Sequence, residues 1–224
     1  MVNKTHTPPP HSIAHVFWDW NGTLLDDAWL CRDVMNAMLR ARAMPEMSES
    51  HYQEIFDFPV QRYYERIGFD FTRESFEILG MEFIRGYESR RREARLYDDA
   101  RAALESLDAA SLHQSILSAY QHDTLITLVT EHGLRDFFHD LHGHDDHYAA
   151  GKVPQGRRAL DALGLDPAHT LLIGDTAHDA EVAAELGMHC WIIPGGNQPL
   201  SRLHATGCPL FSTRSEAVAH LLTL

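Results

Sequence analysis

Cysteine is scarce in this 224-residue chain: Cys31, Cys190 and Cys208 are widely spaced and form no CxxC pair. An odd, scattered set argues against a disulfide framework and for free thiols in a reducing cytoplasm. Positive charge is also short. Nineteen Lys and Arg face 32 Asp and Glu, a formal net charge of -13, and no basic run is present. That balance argues against nucleic acid or an anionic membrane surface as partner. No apolar run approaches the roughly 18 residues that a membrane span needs. The first eleven residues are polar, carry Pro8-Pro9-Pro10 and lack an apolar h-region, so they read as a frayed leader and not as a signal peptide. Internal repeats and low-complexity tracts are absent as well. Histidine, by contrast, is plentiful at 16 residues, so the net charge moves strongly below about pH 6.5.

The length accommodates one full core and a modest insertion. His15-Val16-Phe17-Trp18 is apolar enough to be a buried strand, and Gly22 and Thr23 turn the chain at its carboxyl end. Asp27 to about Ala43 has helical spacing, ended by Pro45, and no β-like alternation follows until about Arg95. Within that stretch Pro59 to Ile67 and Thr72 to Arg92 read as amphipathic helices, parted by Gly68 and the Phe69-Asp70-Phe71 turn. After Tyr97-Asp98-Asp99 the pattern alternates strictly. Strands are expected at Ser115 to Ser118, Asp140 to His142, Thr170 to Ile173 and His189 to Ile193. Helices are expected at Asp99 to Leu107, His122 to His132, Pro154 to Leu163, Ala177 to Leu186 and Ser215 to Leu222, with Gly133, Gly164 and Gly187 as stops. Such alternation means a parallel sheet covered on both faces. The apolar runs Leu171-Leu172-Ile173 and Cys190-Trp191-Ile192-Ile193 suit its central strands.

Four separated segments place polar groups at the carboxyl ends of these strands, where open α/β sheets bind ligands. The first is Asp19-Trp20-Asn21-Gly22-Thr23. The second is Ser118, a residue type that at a strand end serves most often as a turn or cap. The third is Lys152 in Gly151-Lys152-Val153-Pro154, otherwise an ordinary solvated lysine ahead of a helix. The fourth is Gly174-Asp175-Thr176-Ala177-His178-Asp179, whose two acids leave a strand and enter a helix one turn later. Asp175 or Thr176 alone is an ordinary helix cap, but two carboxylates converging beside Asp19 offer the oxygen ligands that Mg2+ prefers.

In that order, with the helical insertion between the first two, the segments resemble the haloacid dehalogenase superfamily. The likeness runs from Val16 to Ile193 and is nearest to its phosphoglycolate phosphatase and β-phosphoglucomutase branch, to which Phe137-Phe138 and the stretch from Gly133 to Pro154 contribute. It implies an α/β fold: a three-layer, Rossmann-like parallel-sheet core (12–26 and 96–224) with an inserted all-helical cap (27–95). It also implies a Mg2+-dependent hydrolase of a small phosphorylated metabolite. Asp19 would attack phosphorus to give an aspartyl phosphate that water hydrolyses. Thr23, Ser118 and Lys152 would bind the phosphoryl group. The metal would sit among Asp19, the Asn21 main-chain oxygen, Asp175 and Asp179, with Asp179 also able to orient Lys152. The oligomeric state is not legible.

Asn21 departs from the family pattern, which has a second Asp there as general acid and base. A backbone ligand is indifferent to the change, but a carboxamide neither gives nor takes a proton. General acid–base help is typically worth about 10²–10⁴-fold. The departure is compatible with a slow phosphatase, with an enzyme whose leaving group needs no proton, or with a phosphate-binding protein without useful turnover. A metal-independent dehalogenase-type hydrolase also lacks the second Asp, but retention of Asp175 and Asp179 weighs against it. Asp26, Asp27 and His178 lie near enough in sequence to be substitutes. The run His142-Gly143-His144-Asp145-Asp146-His147 is too crowded for known zinc spacings. The aromatics Phe56, Phe58, Tyr63, Tyr64, Phe69 and Phe71 read as cap core, with one or two of them, or Arg62, facing substrate.

Overall fold

The computed structural model describes residues 13–144 and 152–224. At its centre is β1 (His15–Trp18), whose four residues are all buried. A two-residue strand, β2 (Leu25–Asp26), precedes four helices: α1 (Ala28–Ala41), α2 (Glu49–Ile55), α3 (Val60–Ile67) and α4 (Phe76–Arg90). The chain returns through β3 (Arg95–Leu96), which pairs antiparallel with β2. The remainder alternates: α5 (Ala100–Ala109), β4 (His113–Gln121), α6 (His122–Glu131), β5 (Leu141–His144), α7 (Val153–Leu163), β6 (Thr170–Gly174), α8 (Ala177–Leu186), β7 (His189–Ile192), α9 (Leu200–His204) and α10 (Arg214–Leu221).

The five long-range strands form one parallel sheet in the order β5-β4-β1-β6-β7. The winding reverses after β5, so β1 sits between β4 and β6 and its carboxyl end opens on the switch-point crevice. Alternation along each strand divides the core. Val16, Trp18, Ile116, Leu171 and Ile173 join residues of α5, α6 and α10, whereas Phe17, Leu117 and Leu172 join residues of α7, α8 and α9. That is the expected three-layer α/β arrangement. A third cluster, built from Met35, Leu39, Tyr52, Tyr64, Phe69 and Leu79, belongs to the inserted helices. α3 ends on Gly68, α7 on Gly164 and α8 on Gly187, each left-handed, the conformation glycine adopts without penalty.

Three details differ from the sequence expectation. Helices α2 and α9 lie in stretches where no element was expected; each is short and buries one residue, Tyr52 or Leu203, too little to produce a periodic pattern. The β2–β3 ribbon closes the base of the insertion with two residues per strand, below any alternation signal. Strand β4 runs past Ser118 to Gln121, but its ladder with β5 is irregular between Leu117 and Gln121, so Ser118 sits at a break in pairing and not at a terminus.

Within β1, His15 is buried and shares a hydrogen bond of 3.0 Å with the Ser115 hydroxyl. Burial, followed by the nearby His113, His139 and His142, lowers its pKa from 6.5 to about 4. The folded state therefore binds fewer protons than the unfolded chain between these values. Stability from this group is complete above pH 6.5 and is lost as pH falls toward 4, with a span on the order of 3 kcal/mol. Denaturant titrations across that window are expected to show a slope that His15→Gln flattens.

Candidate active site

Asp19 follows β1 directly, and its amide still bonds to Ile173 O of β6 at 2.9 Å. Its Oδ1 accepts the Trp20 N–H at 2.7 Å. The chain then turns tightly: the amides of Leu24 and Leu25 both donate to Trp20 O at 2.9 Å. Gly22 has φ +75°, and a Cβ there would lie 2.4 Å from both Asn197 Nδ2 and Asp175 Oδ2. Only glycine permits this approach. Asp175 leaves β6, and Asp179 sits in the first turn of α8 with Oδ2 accepting the Thr176 amide at 3.0 Å and hydroxyl at 2.7 Å. Lys152 stands at the start of α7.

These elements bring the separated polar residues together. Lys152 Nζ is 2.7 Å from Asp19 Oδ1 and 2.6 Å from Asp179 Oδ1, and all three side chains are buried. Asp19, Asp175 and Asp179 each offer an oxygen within 4.8 Å of the others. Burial pushes the Asp19 pKa up to about 7, opposed by Lys152 and reinforced by Asp179. Asp175 is raised well above the carboxylate range by burial, then by Asp19 and Asp179. For Asp179, burial raises the pKa, but Lys152 and the Thr176 hydrogen bonds outweigh it and hold the carboxyl low. Lys152 is desolvated too, yet its two acidic neighbours push its pKa up. Three carboxylates against one ammonium leave a buried negative excess, and a hard divalent cation with oxygen ligands fits that donor set.

Not every expected residue stands where its assumed role requires. Thr23 is fully buried behind Asp175, its hydroxyl 3.4 Å from Asp175 Oδ1, and lies outside the cavity wall; it steadies an acid instead of facing ligand. Ser118 does line the cavity, and its Oγ accepts the Tyr120 amide at 3.1 Å. Both oxygens of Asp179 are engaged, by Lys152 and Thr176, so its hydrogen bonds serve to orient the lysine. Asp26 and His178 are not on the cavity wall. Arg62 is exposed and also absent from that wall. Asp145, Asp146 and His147 of the histidine run lie outside the described residues, while His144 pairs with Gln155 at 2.7 Å.

Asp27 is the acid that reaches Asn21. It is buried, and its Oδ2 accepts Asn21 Nδ2 and the Tyr87 hydroxyl, each at 2.6 Å, while Oδ1 accepts the Gly22 amide at 2.9 Å. Burial raises its pKa against these three donors. Two further participants carried no sequence signal strong enough to assign: Asn197 donates to Asp175 Oδ2 at 2.9 Å, and Tyr52 of α2 donates to Asn197 Oδ1 at 2.9 Å. A polar residue soon after β7, following Gly195-Gly196, was the available clue to Asn197.

A cavity of about 210 Å³ lies over these groups. That is below the roughly 300–1,000 Å³ of drug-sized sites and suits a small ligand. Its floor is Asp19, Asn21, Ser118, Lys152 and Asp175, and its roof includes Phe56, Phe58, Val60, Tyr63, Phe83 and Ile84 from the inserted helices. Phe56 and Phe58 thus do face the cavity, while Tyr63 and Tyr64 serve both the cap core and the wall. The roof is fastened to the core by Arg202, which donates to Phe56 O at 2.9 Å and pairs with Asp57 at 2.6 Å. The Phe58 ring also stacks on His178 at 4.6 Å.

The family model for haloacid dehalogenase-like hydrolases matches residues 16–193, and the chain belongs to that family. Its structure is similar to that of a haloacid dehalogenase-like family hydrolase from Streptococcus pneumoniae, at 20% identity and TM-score 0.81, over 93% of this chain and 98% of that one. A predicted phosphoglycolate phosphatase from Haemophilus somnus is similar at 17% identity and TM-score 0.75, over 95% and 98%. So is CbbY from Rhodobacter sphaeroides, solved in complex with xylulose 1,5-bisphosphate, at 18% identity and TM-score 0.65, over 91% and 96%. At such identities these likenesses establish the shared fold. No curated protein matches the chain in sequence.

Lys152→Met removes the one ammonium in contact with two buried carboxylates. Breaking such a pair typically costs about 3–5 kcal/mol. Urea unfolding of the variant is expected to show a loss of that size.

Proposed function

We propose that the protein is a Mg2+-dependent phosphatase that hydrolyses a small phosphorylated metabolite, a phosphomonoester, through an aspartyl phosphate on Asp19. The observation that carries this reading is the buried cluster of Asp19, Asp175 and Asp179, the first and last paired with Lys152, set beneath a small cavity at the end of the central strand. The neighbours described as a predicted phosphoglycolate phosphatase and as a bisphosphate complex support a phosphorylated ligand.

Asp19, the Asn21 main-chain oxygen and Asp175 would hold Mg2+, which when bound screens the repulsion between carboxylate and phosphate. Asp19 is the nucleophile, aimed by the Trp20 amide and Lys152. Lys152, oriented by Asp179, neutralises charge on the phosphoryl oxygens, and Ser118 donates a hydrogen bond to one of them. The inserted helices, 27–95, form the lid, with the β2–β3 ribbon at its base as the hinge and Arg202 as its latch. Closure excludes bulk water from the phosphorylated aspartate. The free thiols Cys31, Cys190 and Cys208 support a reducing, cytoplasmic setting. No helix among the described residues is long and apolar enough to cross a membrane.

Release of inorganic phosphate from a panel of phosphomonoesters is expected with Mg2+, to cease with EDTA and to return when Mg2+ is restored. Asp19→Asn is expected to abolish turnover while leaving the circular dichroism spectrum intact. Undiminished turnover in that variant removes the nucleophile, and activity indifferent to EDTA points instead to metal-independent chemistry. Arg202→Ala, which frees the latch, is expected to lower kcat/KM severalfold with the fold retained, measured by steady-state kinetics on the same substrate.

A further inference from the structure

Two independent features of the cavity narrow its substrate. The first is how Asn21 is held. Asp27 Oδ2 takes hydrogens from Tyr87 and from Asn21 Nδ2, and Nδ2 also donates to the Tyr87 oxygen at 3.0 Å. An oxygen in place of Nδ2 would face two acceptors, so the carboxamide is fixed in one orientation. Its Oδ1 has no protein partner among the described residues, and Asn21 lines the cavity. The group above the nucleophile is therefore a clamped acceptor, with no proton for a departing oxygen.

The second feature is the roof. Among the described residues, Lys152 is the only cation lining the cavity, and Asp19 and Asp179 already engage it. The inserted helices contribute Phe56, Phe58, Val60, Tyr63, Phe83 and Ile84. Glu88, the charged residue that α4 adds, is paired with Arg91 and with the Tyr120 hydroxyl. An anionic group on the leaving side would meet apolar surface and a carboxylate, without a countercharge. A neutral flat ring would find aromatic faces. The Tyr63 hydroxyl, buried and without a partner among the described residues, offers that ring one neutral hydrogen bond.

We infer, building on the phosphatase reading above, that the substrate is a small aryl phosphate: a phosphomonoester whose leaving group is an uncharged aromatic alcohol. The Asp19 carboxylate forms a bond to phosphorus as the phosphorus–oxygen bond to the ring breaks. The aryl oxygen departs with the electron pair as an aryloxide, stable without a proton from residue 21, and takes its proton from solvent. Water then attacks the phosphorus of the aspartyl phosphate, restoring the Asp19 carboxylate and releasing inorganic phosphate. Alkyl phosphates fail at the first step because residue 21 has no proton to give and both oxygens of Asp27 are already engaged as acceptors, and substrates with a carboxylate or a second phosphate fail at the roof.

The test compares kcat/KM with Mg2+ for 1-naphthyl phosphate, n-hexyl phosphate and phosphoglycolate. Naphthyl phosphate is expected to exceed each of the others by roughly 10²-fold or more. Asn21→Asp installs an acid and is expected to narrow the naphthyl-to-hexyl ratio by a large part of the roughly 10²–10⁴-fold that such groups supply. Ile84→Lys places a cation in the roof and is expected to raise phosphoglycolate relative to naphthyl phosphate. Phosphoglycolate turned over as well as naphthyl phosphate overturns the substrate class while leaving the phosphatase intact. An unchanged naphthyl-to-hexyl ratio in Asn21→Asp, or an unchanged phosphoglycolate-to-naphthyl ratio in Ile84→Lys, overturns the corresponding half of the assignment. Absence of hydrolysis across all three substrates overturns the phosphatase reading and this one with it.

Discussion

Three neighbouring buried carboxylates, two of them in contact with one ammonium, form the constraint around which the rest of the structure is arranged. Such a cluster is costly, because burial disfavours each charge and the acids repel one another. It persists because each member is held by a different rigid element: Asp19 by β1, Asp175 by β6, Asp179 by α8 and Lys152 by α7. Backbone and side-chain donors offset part of the cost, through Trp20 on Asp19, Asn197 on Asp175 and Thr176 on Asp179. The adjoining strands are buried on both faces. A site that must keep acids a few ångströms apart needs such close-packed, nearly incompressible support.

The cavity divides its labour between the two parts of the chain. The sheet end supplies the charged floor, and the inserted helices supply a largely aromatic roof that carries no cation among the described residues. They communicate through few polar contacts. Tyr52 reaches Asp175 by way of Asn197, and Tyr87 reaches Asn21 both directly and by way of Asp27. Docking of α2 and α4 thereby bears on the positions of Asp175 and of Asn21. Asp27 itself stands at the junction, directly before α1.

The main features of the core were legible because its local and global signals agree. The apolar run before Asp19, the apolar stretches Leu171-Leu172-Ile173 of β6 and Cys190-Trp191-Ile192 of β7, and the glycines ending α7 and α8 each reported an element directly. The four polar segments were legible for a related reason: a parallel sheet delivers the carboxyl ends of its strands to one edge, so residues there converge whatever their separation in sequence. Ser118 was found in this way although its strand continues beyond it, since the break in pairing happens to fall at that residue. Thr23, expected to bind the phosphoryl group, is buried against Asp175 and off the cavity wall, because a tight turn directs a side chain by its dihedral angles, which composition does not specify.

By itself, the sequence determined the parallel three-layer core, the helical insertion and the four acidic and basic residues of the cluster, since those follow from hydrophobic periodicity, turn chemistry and strand polarity. Tertiary structure alone decided which of the nearby acids meets Asn21, which cap aromatics turn inward, and where Asn197, Tyr52 and Tyr87 act. Those outcomes depend on how α1 to α4 dock over the sheet, a matter of shape and burial that joins distant segments, as in the Asn21–Tyr87 separation of 66, and that also fixes the nearer Asn21–Asp27 contact. Local patterns decay within a turn or two of helix, whereas such contacts exist only once the insertion has closed on the core.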